Sequence, residues 1–145
     1  MNYNETNKYV LPTVLVINNN QSKLPTDSLL LASLNQVYIP ILEFSKILEW
    51  IQQHQPDLIV LDIAWSQIIN LQLITALRLD WLTRNIPIMI ITGSTSQQIE
   101  TLGQLDYDAF LVKPYSVAEL REKISSLLPT LVLPTPISEV YTQRV

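Results

Sequence analysis

The chain has no cysteine, two glycines and a single histidine among its 145 residues. Without cysteine it can form no disulfide bond, offer no thiol nucleophile and bind no metal through thiolates, which fits a reducing compartment. The one histidine, His54, lies near the end of a predicted helix with no acidic cluster beside it, so we expect a surface position rather than a metal ligand. No nucleophile with a paired base is evident, and we expect a protein that is not an enzyme.

Long apolar runs and an excess of positive charge are missing as well. Each apolar run is only a handful of residues long, whereas about 20 are needed to span a membrane. The polar N-terminus is followed by no small-residue cleavage site, so we do not expect a signal peptide. The net charge is −4, which disfavours nucleic acid because phosphate binding depends on lysine and arginine. We expect a cytoplasmic protein with neither a membrane nor a nucleic-acid partner.

Apolar segments of strand length recur along a chain that is 48% hydrophobic. They are rich in valine and isoleucine and almost continuously apolar, which is typical of parallel strands covered by helices on both faces. The five predicted strands are Thr13 to Ile17, Val37 to Leu42, Leu58 to Ile63, Ile86 to Thr92 and Ala109 to Val112.

Segments with helical periodicity alternate with these strands. Five helices are predicted, over Lys23 to Leu34, Phe44 to Ile51, Ile68 to Leu79, Thr95 to Gly103 and Val117 to Leu127. This alternation predicts an α/β fold of the flavodoxin-like (βα)5 type. The expected architecture is a doubly wound sheet of five parallel strands in the order 2-1-3-4-5, with helices on both faces.

The domain boundaries follow from the first and last of these elements. Residues 1–12 are predicted to form an N-terminal extension, and residues 13–128 the folded domain. Residues 129–145 contain three prolines and no hydrophobic period, which predicts a flexible tail or linker. Within the domain, Trp50 and Trp81 are expected in the core or at its rim.

Polar side chains stand at the carboxyl ends of four predicted strands, where doubly wound sheets bind their ligands. Parallel strands bring these ends to one edge of the sheet, so we expect the polar side chains to lie together. In chain order they are Asn18, Asn19, Asp62, Thr92 and Lys113.

Three motifs contain the last three of these residues with the spacing of a known family. They are "PDLIVLDI" (Pro56 to Ile63), "IPIMIITG" (Ile86 to Gly93) and "DAFLVKPYSVAEL" (Asp108 to Leu120). Together they closely resemble the receiver domain of two-component response regulators, and the resemblance extends over about Thr13 to Leu128.

The resemblance implies a role for each matching residue. Asp62 corresponds to the aspartate that accepts a phosphoryl group from a histidine kinase. Thr92 corresponds to the hydroxyl residue that contacts the phosphoryl group, and Lys113 to the lysine that neutralises it. Phe110 corresponds to the aromatic residue that the family uses as a rotameric switch.

The chain departs from the family pattern at the metal site. Asn18 and Asn19 stand where the family has an acidic pair that helps to hold Mg²⁺. Affinity for Mg²⁺ should fall by orders of magnitude, because hard cations prefer carboxylates and about 1.4 kcal/mol is tenfold in affinity. The loop after the acceptor also differs, since the usual Met, Pro, Asp and Gly are replaced by Trp65, Ser66, Ile69 and Asn70.

These departures predict an atypical, pseudo-receiver-like signalling module. It is expected to be a stand-alone module that acts through protein contacts. Mg²⁺-dependent phosphorylation at Asp62 is expected to be weak or absent, and no other cofactor is expected. At rest, Asp62 is expected to pair directly with Lys113. A conventional receiver, phosphorylated at Asp62 by a histidine kinase, remains an alternative. A flavodoxin-like cofactor-binding protein is another, although the turn "NNNQSKLP" after the first strand has no glycine with which to cradle a phosphate.

The expected partners are a histidine kinase or another signalling protein. Receiver domains commonly use the surface of the fourth helix, fifth strand and fifth helix for dimer and partner contacts. In this chain that surface contains Tyr107, Phe110 and Tyr115, and a homodimer through it is one expectation. A purely structural interaction domain that uses the same surface is a third class of function.

Overall fold

The structure is a computed structural model that describes most of the central part of the chain. The described residues are 11–18, 24–25, 32–40, 44–62, 67–93, 95, 99–100, 103 and 105–128, with the backbone alone at 40 and 67–70. The strands are β1 (Thr13–Asn18), β2 (Asn35–Pro40), β3 (Leu58–Asp62), β4 (Ile88–Thr92) and β5 (Ala109–Val112). The helices with described bounds are α1 (Phe44–His54), α2 (Gln67–Leu79) and α3 (Val117–Leu127).

The five strands form one parallel sheet in the order β2-β1-β3-β4-β5. This order confirms the predicted flavodoxin-like arrangement. Because all strands run the same way, their carboxyl ends lie along one edge of the sheet and their amino ends along the opposite edge.

The central strands are buried because side chains on both of their faces pack against helices. Every residue of β3 and β4 is buried, as valine- and isoleucine-rich runs predict. Alternate side chains enter two different clusters. The α1–α2 cluster, on one face, includes Leu15, Ile17, Ile59, Leu61, Ile88 and Ile90 together with residues of α1 and α2. The α3 cluster, on the other face, includes Val14, Val16, Leu58, Val60, Met89 and Ile91 together with residues of α3.

The apolar residues of the helices face these clusters. Ile47 and Ile51 are the buried residues of α1, and Leu120 and Ile124 are those of α3. Helix α3 begins with a capping box at Ser116. The Ser116 hydroxyl oxygen accepts from the backbone N–H of Glu119 at 3.1 Å, and the backbone N–H of Ser116 donates to the Glu119 carboxylate at 2.9 Å. This exchange satisfies two N–H groups that a helix start leaves without intrahelical partners.

Two strands begin at a different residue from the one predicted. The second strand was expected over Val37 to Leu42, yet β2 begins at Asn35, whose N–H donates to the carbonyl of Pro12 at 2.8 Å. Its polar start was missed because β2 is an edge strand, where side chains need not be apolar on both faces. β4 begins at Ile88 rather than Ile86, after Pro87, which has no N–H for the ladder.

Other expectations lie wholly or partly outside the described residues. Of the helices predicted over Lys23 to Leu34 and Thr95 to Gly103, residues 32–33 and 99–100 are helical, and most of the remainder is not described. The segments 1–10 and 129–145 are not described either. In the described ranges no helix is long and apolar enough to cross a membrane.

Arg78, in the last turn of α2, connects several segments at the amino edge of the sheet. Its guanidinium donates to the carbonyls of Arg84 and Ile86, each at 2.9 Å. It also donates to the Asp108 carboxylate at 2.7 Å. The same Asp108 oxygen accepts the backbone N–H of Ile88 at 2.8 Å. Arg78 thereby fixes α2, the loop after it and the starts of β4 and β5 relative to one another.

The two tryptophans that the sequence assigned to the core or its rim differ in position. Trp50 packs against the α1–α2 cluster, as expected. Trp81 is 73% exposed, so the prediction was wrong for this residue. It lies in the loop between α2 and β4, where no strand or helix periodicity determines which way a side chain points.

Candidate functional site

The carboxyl edge of the sheet brings together four of the five predicted site residues. Asn18, Asp62 and Thr92 are the last residues of β1, β3 and β4, and Lys113 directly follows β5. Adjacent strands place these ends side by side, since Ile17 pairs with Leu61 just before Asn18 and Asp62. Asn19, the fifth predicted residue, lies outside the described residues.

Asp62 and Lys113 form an ion pair across this edge. The Lys113 ammonium Nζ donates to Asp62 Oδ1 at 3.0 Å and to Oδ2 at 2.9 Å. The Asp62 side chain is 11% exposed and that of Lys113 is 42% exposed. The carboxylate is therefore largely withdrawn from water, and both of its oxygens accept from the lysine. The expectation of direct pairing is confirmed by this geometry.

Thr92 is fully buried at the end of β4. Its hydroxyl donates to the carbonyl of Gly93 at 3.3 Å, which is long for a hydrogen bond between oxygens. A hydroxyl held this weakly can turn toward another acceptor at low cost. Thr92 thus supplies a buried donor beside the strand end that holds Asp62.

The end of β1 contributes a neutral amide to the edge. Asn18 is only 3% exposed and lies on the strand next to that of Asp62. Within the described residues, no three His, Cys, Asp or Glu side chains are grouped so that they could hold a metal ion. The one carboxylate at the described strand ends, that of Asp62, is thus already bound to an ammonium, and the side chain at the end of β1 is a neutral amide.

Tyr115 lies close enough to Asp62 for the two groups to interact electrostatically. Its pKa is raised, first by burial, then by the negative charge of Asp62 and then by Tyr38, because each of these disfavours the phenolate. Tyr115 and Tyr38 both pack against the α3 cluster. Sequence reasoning assigned Tyr115 only to a partner surface and missed its proximity to Asp62. The signal that was available is its place directly after the Lys113–Pro114 pair.

The predicted partner surface is described at β5 and in the segments beside it. The rings of Tyr107 and Phe110 make an edge-to-face contact with their centroids 5.7 Å apart. Phe110 is 40% exposed on the edge strand, while Tyr107 packs partly against the α1–α2 cluster. The exposed ring makes this edge of the sheet partly aromatic. Whether Phe110 changes rotamer with signalling state stays a prediction.

The other residues that the sequence analysis named either lie away from the carboxyl edge of the sheet or have no described side chain. His54 is exposed and stacks on Trp50 with ring centroids 4.1 Å apart, which agrees with the expected surface position. Trp65 and Ser66 are not described, and Ile69 and Asn70 are described only by their backbone. The contribution of these four residues to an atypical receiver therefore stays a prediction.

The fold and this edge define a class of protein: a flavodoxin-like domain with an aspartate, a hydroxyl residue and a lysine at the carboxyl ends of its strands. The chain matches the family described as response regulator receiver domain over residues 14–125. It therefore belongs to the receiver domain family of two-component response regulators, as the three motifs indicated.

Individual proteins support the same assignment. The chain is 33% identical over 82 residues to response regulator Rre1 of Synechocystis sp., a match that covers 55% of this chain and 35% of that protein. The chain thus spans about a third of this relative's length.

Similar solved structures include a response regulator receiver modulated diguanylate cyclase from Pelobacter carbinolicus (TM-score 0.63, 23% identity, 83% of this chain and 94% of that chain). Another is the receiver domain of a sensor histidine kinase from Pseudomonas aeruginosa (TM-score 0.63, 18% identity, 83% of this chain and 99% of that chain). That structure has a magnesium ion coordinated in its active-site cleft. At these identities, both structures support the fold alone.

Proposed function

We propose that this receiver is atypical, with weak or no Mg²⁺-dependent phosphorylation at Asp62, and that it signals through protein contacts. The observation that carries the proposal is the double hydrogen bond of Asp62 to Lys113 beside the neutral amide of Asn18. Receiver phosphorylation depends on a cation that neutralises the phosphoryl oxygens as the new bond forms. Here the lysine is the cation that the described residues supply.

The donor set fits a tightly held Mg²⁺ poorly. Mg²⁺ gives up its water shell reluctantly and is usually bound through one or two carboxylates in addition to substrate phosphates. At an effective dielectric constant of 20, one carboxylate 4 Å from a divalent ion contributes roughly 8 kcal/mol of raw attraction. An amide contributes only its dipole, and the Lys113 ammonium opposes a second cation beside Asp62.

Retention of Asp62, Thr92 and Lys113 at one edge favours a second candidate, a conventional receiver phosphorylated at Asp62 by a histidine kinase. In that case Lys113 would leave one carboxylate oxygen to permit attack on the phosphodonor. The alternative of a flavodoxin-like cofactor-binding protein finds no support now that the chain belongs to the receiver family.

The partner contact in this proposal is the aromatic surface around β5. Tyr107, Phe110 and Tyr115 would contact a histidine kinase or another signalling protein, or a second copy of the chain. A cytoplasmic location belongs to the same proposal, since the cysteine-free composition suits a reducing compartment. The Asp62–Lys113 pair would hold this end of the domain in one arrangement without phosphorylation.

Intact-mass measurement tests the proposal. The purified chain is incubated with a small-molecule phosphodonor, with and without Mg²⁺, beside the Asp62→Asn variant, which keeps the side-chain shape and removes the acceptor. We expect little or no adduct in the unaltered chain and none in the variant. Rapid, Mg²⁺-dependent adduct formation that the variant lacks would establish the conventional receiver instead.

A further inference from the structure

A cleft at the amino edge of the sheet lies away from the Asp62 site. It has a volume of about 300 Å³ and lies between the loop that precedes β3 and the loop that precedes β4. Its lining residues are Gln55, Pro56, Asp57, Trp81, Leu82, Asn85, Ile86 and Pro87. Because these residues lie just before β3 and β4, the cleft is at the opposite end of those strands from Asp62.

Two of the lining residues, Trp81 and Leu82, are large, apolar and exposed. Trp81 is 73% exposed, Leu82 44%, and Leu79, at the end of α2, 81%. Single exposed apolar residues are ordinary, whereas Trp81 and Leu82 together at one cleft form an apolar patch of the kind that marks a contact surface. Trp81 beside Pro56 and Pro87, with the amides of Gln55 and Asn85, resembles in chemistry the aromatic grooves that bind extended proline-containing segments.

The described chain ends near the same edge. Helix α3 starts beyond the carboxyl end of β5. Its 11 residues at 1.5 Å each extend over roughly 16 Å, which is about the length of a five-residue strand. The helix is therefore long enough to return the chain to the amino edge of the sheet. Leu128, which follows it, is buried in the same cluster as Leu58, the first residue of β3. Leu58 directly follows Asp57 of the cleft lining.

Residues 129–145 have the length and composition to occupy the cleft. These 17 residues extend over roughly 55 Å at most, which greatly exceeds the ~10 Å separation of packed layers that they must pass. Their first part reads "PTLVLPTP", with apolar residues between prolines. Proline restricts such a segment before it binds, so little conformational entropy is lost on docking.

We propose that the segment Leu131–Pro136 of the same chain docks into this cleft against Trp81. The contact would cover the exposed apolar patch at the end of the domain opposite Asp62. It is independent of the proposed signalling function, because it involves neither the carboxyl edge nor the aromatic surface around β5.

Spin labelling of the full-length chain tests this proposal. Since the chain has no cysteine, Ser138→Cys provides a single thiol for a nitroxide label just beyond Pro136. We expect the amide signals of Trp81, Leu82 and Asn85 to lose most of their intensity in NMR spectra, while those of Asp62 and Lys113 keep theirs. Weak, uniform loss over the domain, or loss centred on another surface, would overturn the proposal.

Two controls distinguish specific docking from other contacts. Trp81→Ala in the labelled chain should restore the Leu82 and Asn85 signals, whereas Ile99→Ala, which removes a side chain that is 45% exposed elsewhere, should leave their loss unchanged. In a second control, spin-labelled chain at natural isotope abundance is mixed with ¹⁵N-enriched chain that carries no spin label. This mixture should show no loss of amide signal intensity. Equal loss in that mixture would show docking between two copies and would contradict the intramolecular proposal.

Discussion

Asn18→Asp is expected to raise the affinity of the carboxyl edge for Mg²⁺. The new carboxylate would stand at the end of β1, on the strand beside that of Asp62. At 4 Å and an effective dielectric constant of 20, it would add roughly 8 kcal/mol of attraction for a divalent ion and roughly 4 kcal/mol of repulsion from Asp62. The new charge would also be buried, at a position that is 3% exposed, and this desolvation offsets a further part of the attraction.

The net gain expected from these opposing effects is about 1.4 to 3 kcal/mol, or tenfold to more than a hundredfold in affinity. Titration calorimetry with Mg²⁺ alone measures it. The matched control is Asn18→Asp in the Asp62→Asn background, which again has one carboxylate and should bind as weakly as the unaltered chain. An unaltered chain that binds Mg²⁺ as tightly as Asn18→Asp would refute the reasoning, because the amide would then not limit the site.

Three further substitutions test the packing and the electrostatics. Arg78→Ala should lower the free energy of unfolding by about 2–4 kcal/mol, because the carbonyls of Arg84 and Ile86 lose this donor and Asp108 loses its ion pair. Urea unfolding measures the loss, and Arg84→Ala, at an exposed position, is the near-neutral control. Ser116→Ala should cost about 1 kcal/mol in the same assay through loss of the capping box. Asp62→Asn should lower the raised pKa of Tyr115, because it removes a negative charge, and phenolate absorbance during an alkaline titration follows the change.

The raised pKa of Tyr115 also makes the stability of the fold depend on pH in the alkaline range. A pKa raised in the folded state means that folding is favoured below the ordinary tyrosine pKa and that this contribution is lost as the pH rises through the folded-state value. Tyr115→Phe should therefore lose less stability than the unaltered chain in that alkaline range. If the stability of the two proteins fell in parallel with rising pH, the raised pKa of Tyr115 would be contradicted.

For Arg78 and Ser116, losses of stability below those of ordinary surface substitutions would show that their hydrogen bonds contribute little.

The parts of the fold that follow from local pattern were predictable from the sequence. β1, β3 and β4 are continuous apolar runs, and a strand buried on both faces requires such a run. The parallel, doubly wound sheet followed from the alternation of strands and helices, and its strand order is the commonest one for five such strands. The convergence of Asp62, Thr92 and Lys113 followed from the direction of parallel strands. The motifs around these residues indicated the family before any geometry was known.

The features that were missed depend on contacts between distant parts of the chain. β2 begins at Asn35 because its partner strand offers hydrogen bonds there, although Asn35 itself has no strand-like character. Arg78 bonds Asp108, which is 30 positions away, and helical periodicity identifies it only as a polar position. Tyr115 approaches Asp62 through the path of the chain after β5, and the exposure of Trp81 depends on the course of a loop.

The central claim is that the amides at the end of β1, rather than any defect of the acceptor, limit phosphorylation. The most direct test compares the rate of phosphoryl adduct formation, by intact mass at saturating Mg²⁺, between the unaltered chain and Asn18→Asp/Asn19→Asp. The account predicts a much faster rate in the double variant, which Asp62→Asn should abolish. Equal rates in the two proteins, whether both fast or both absent, would contradict it.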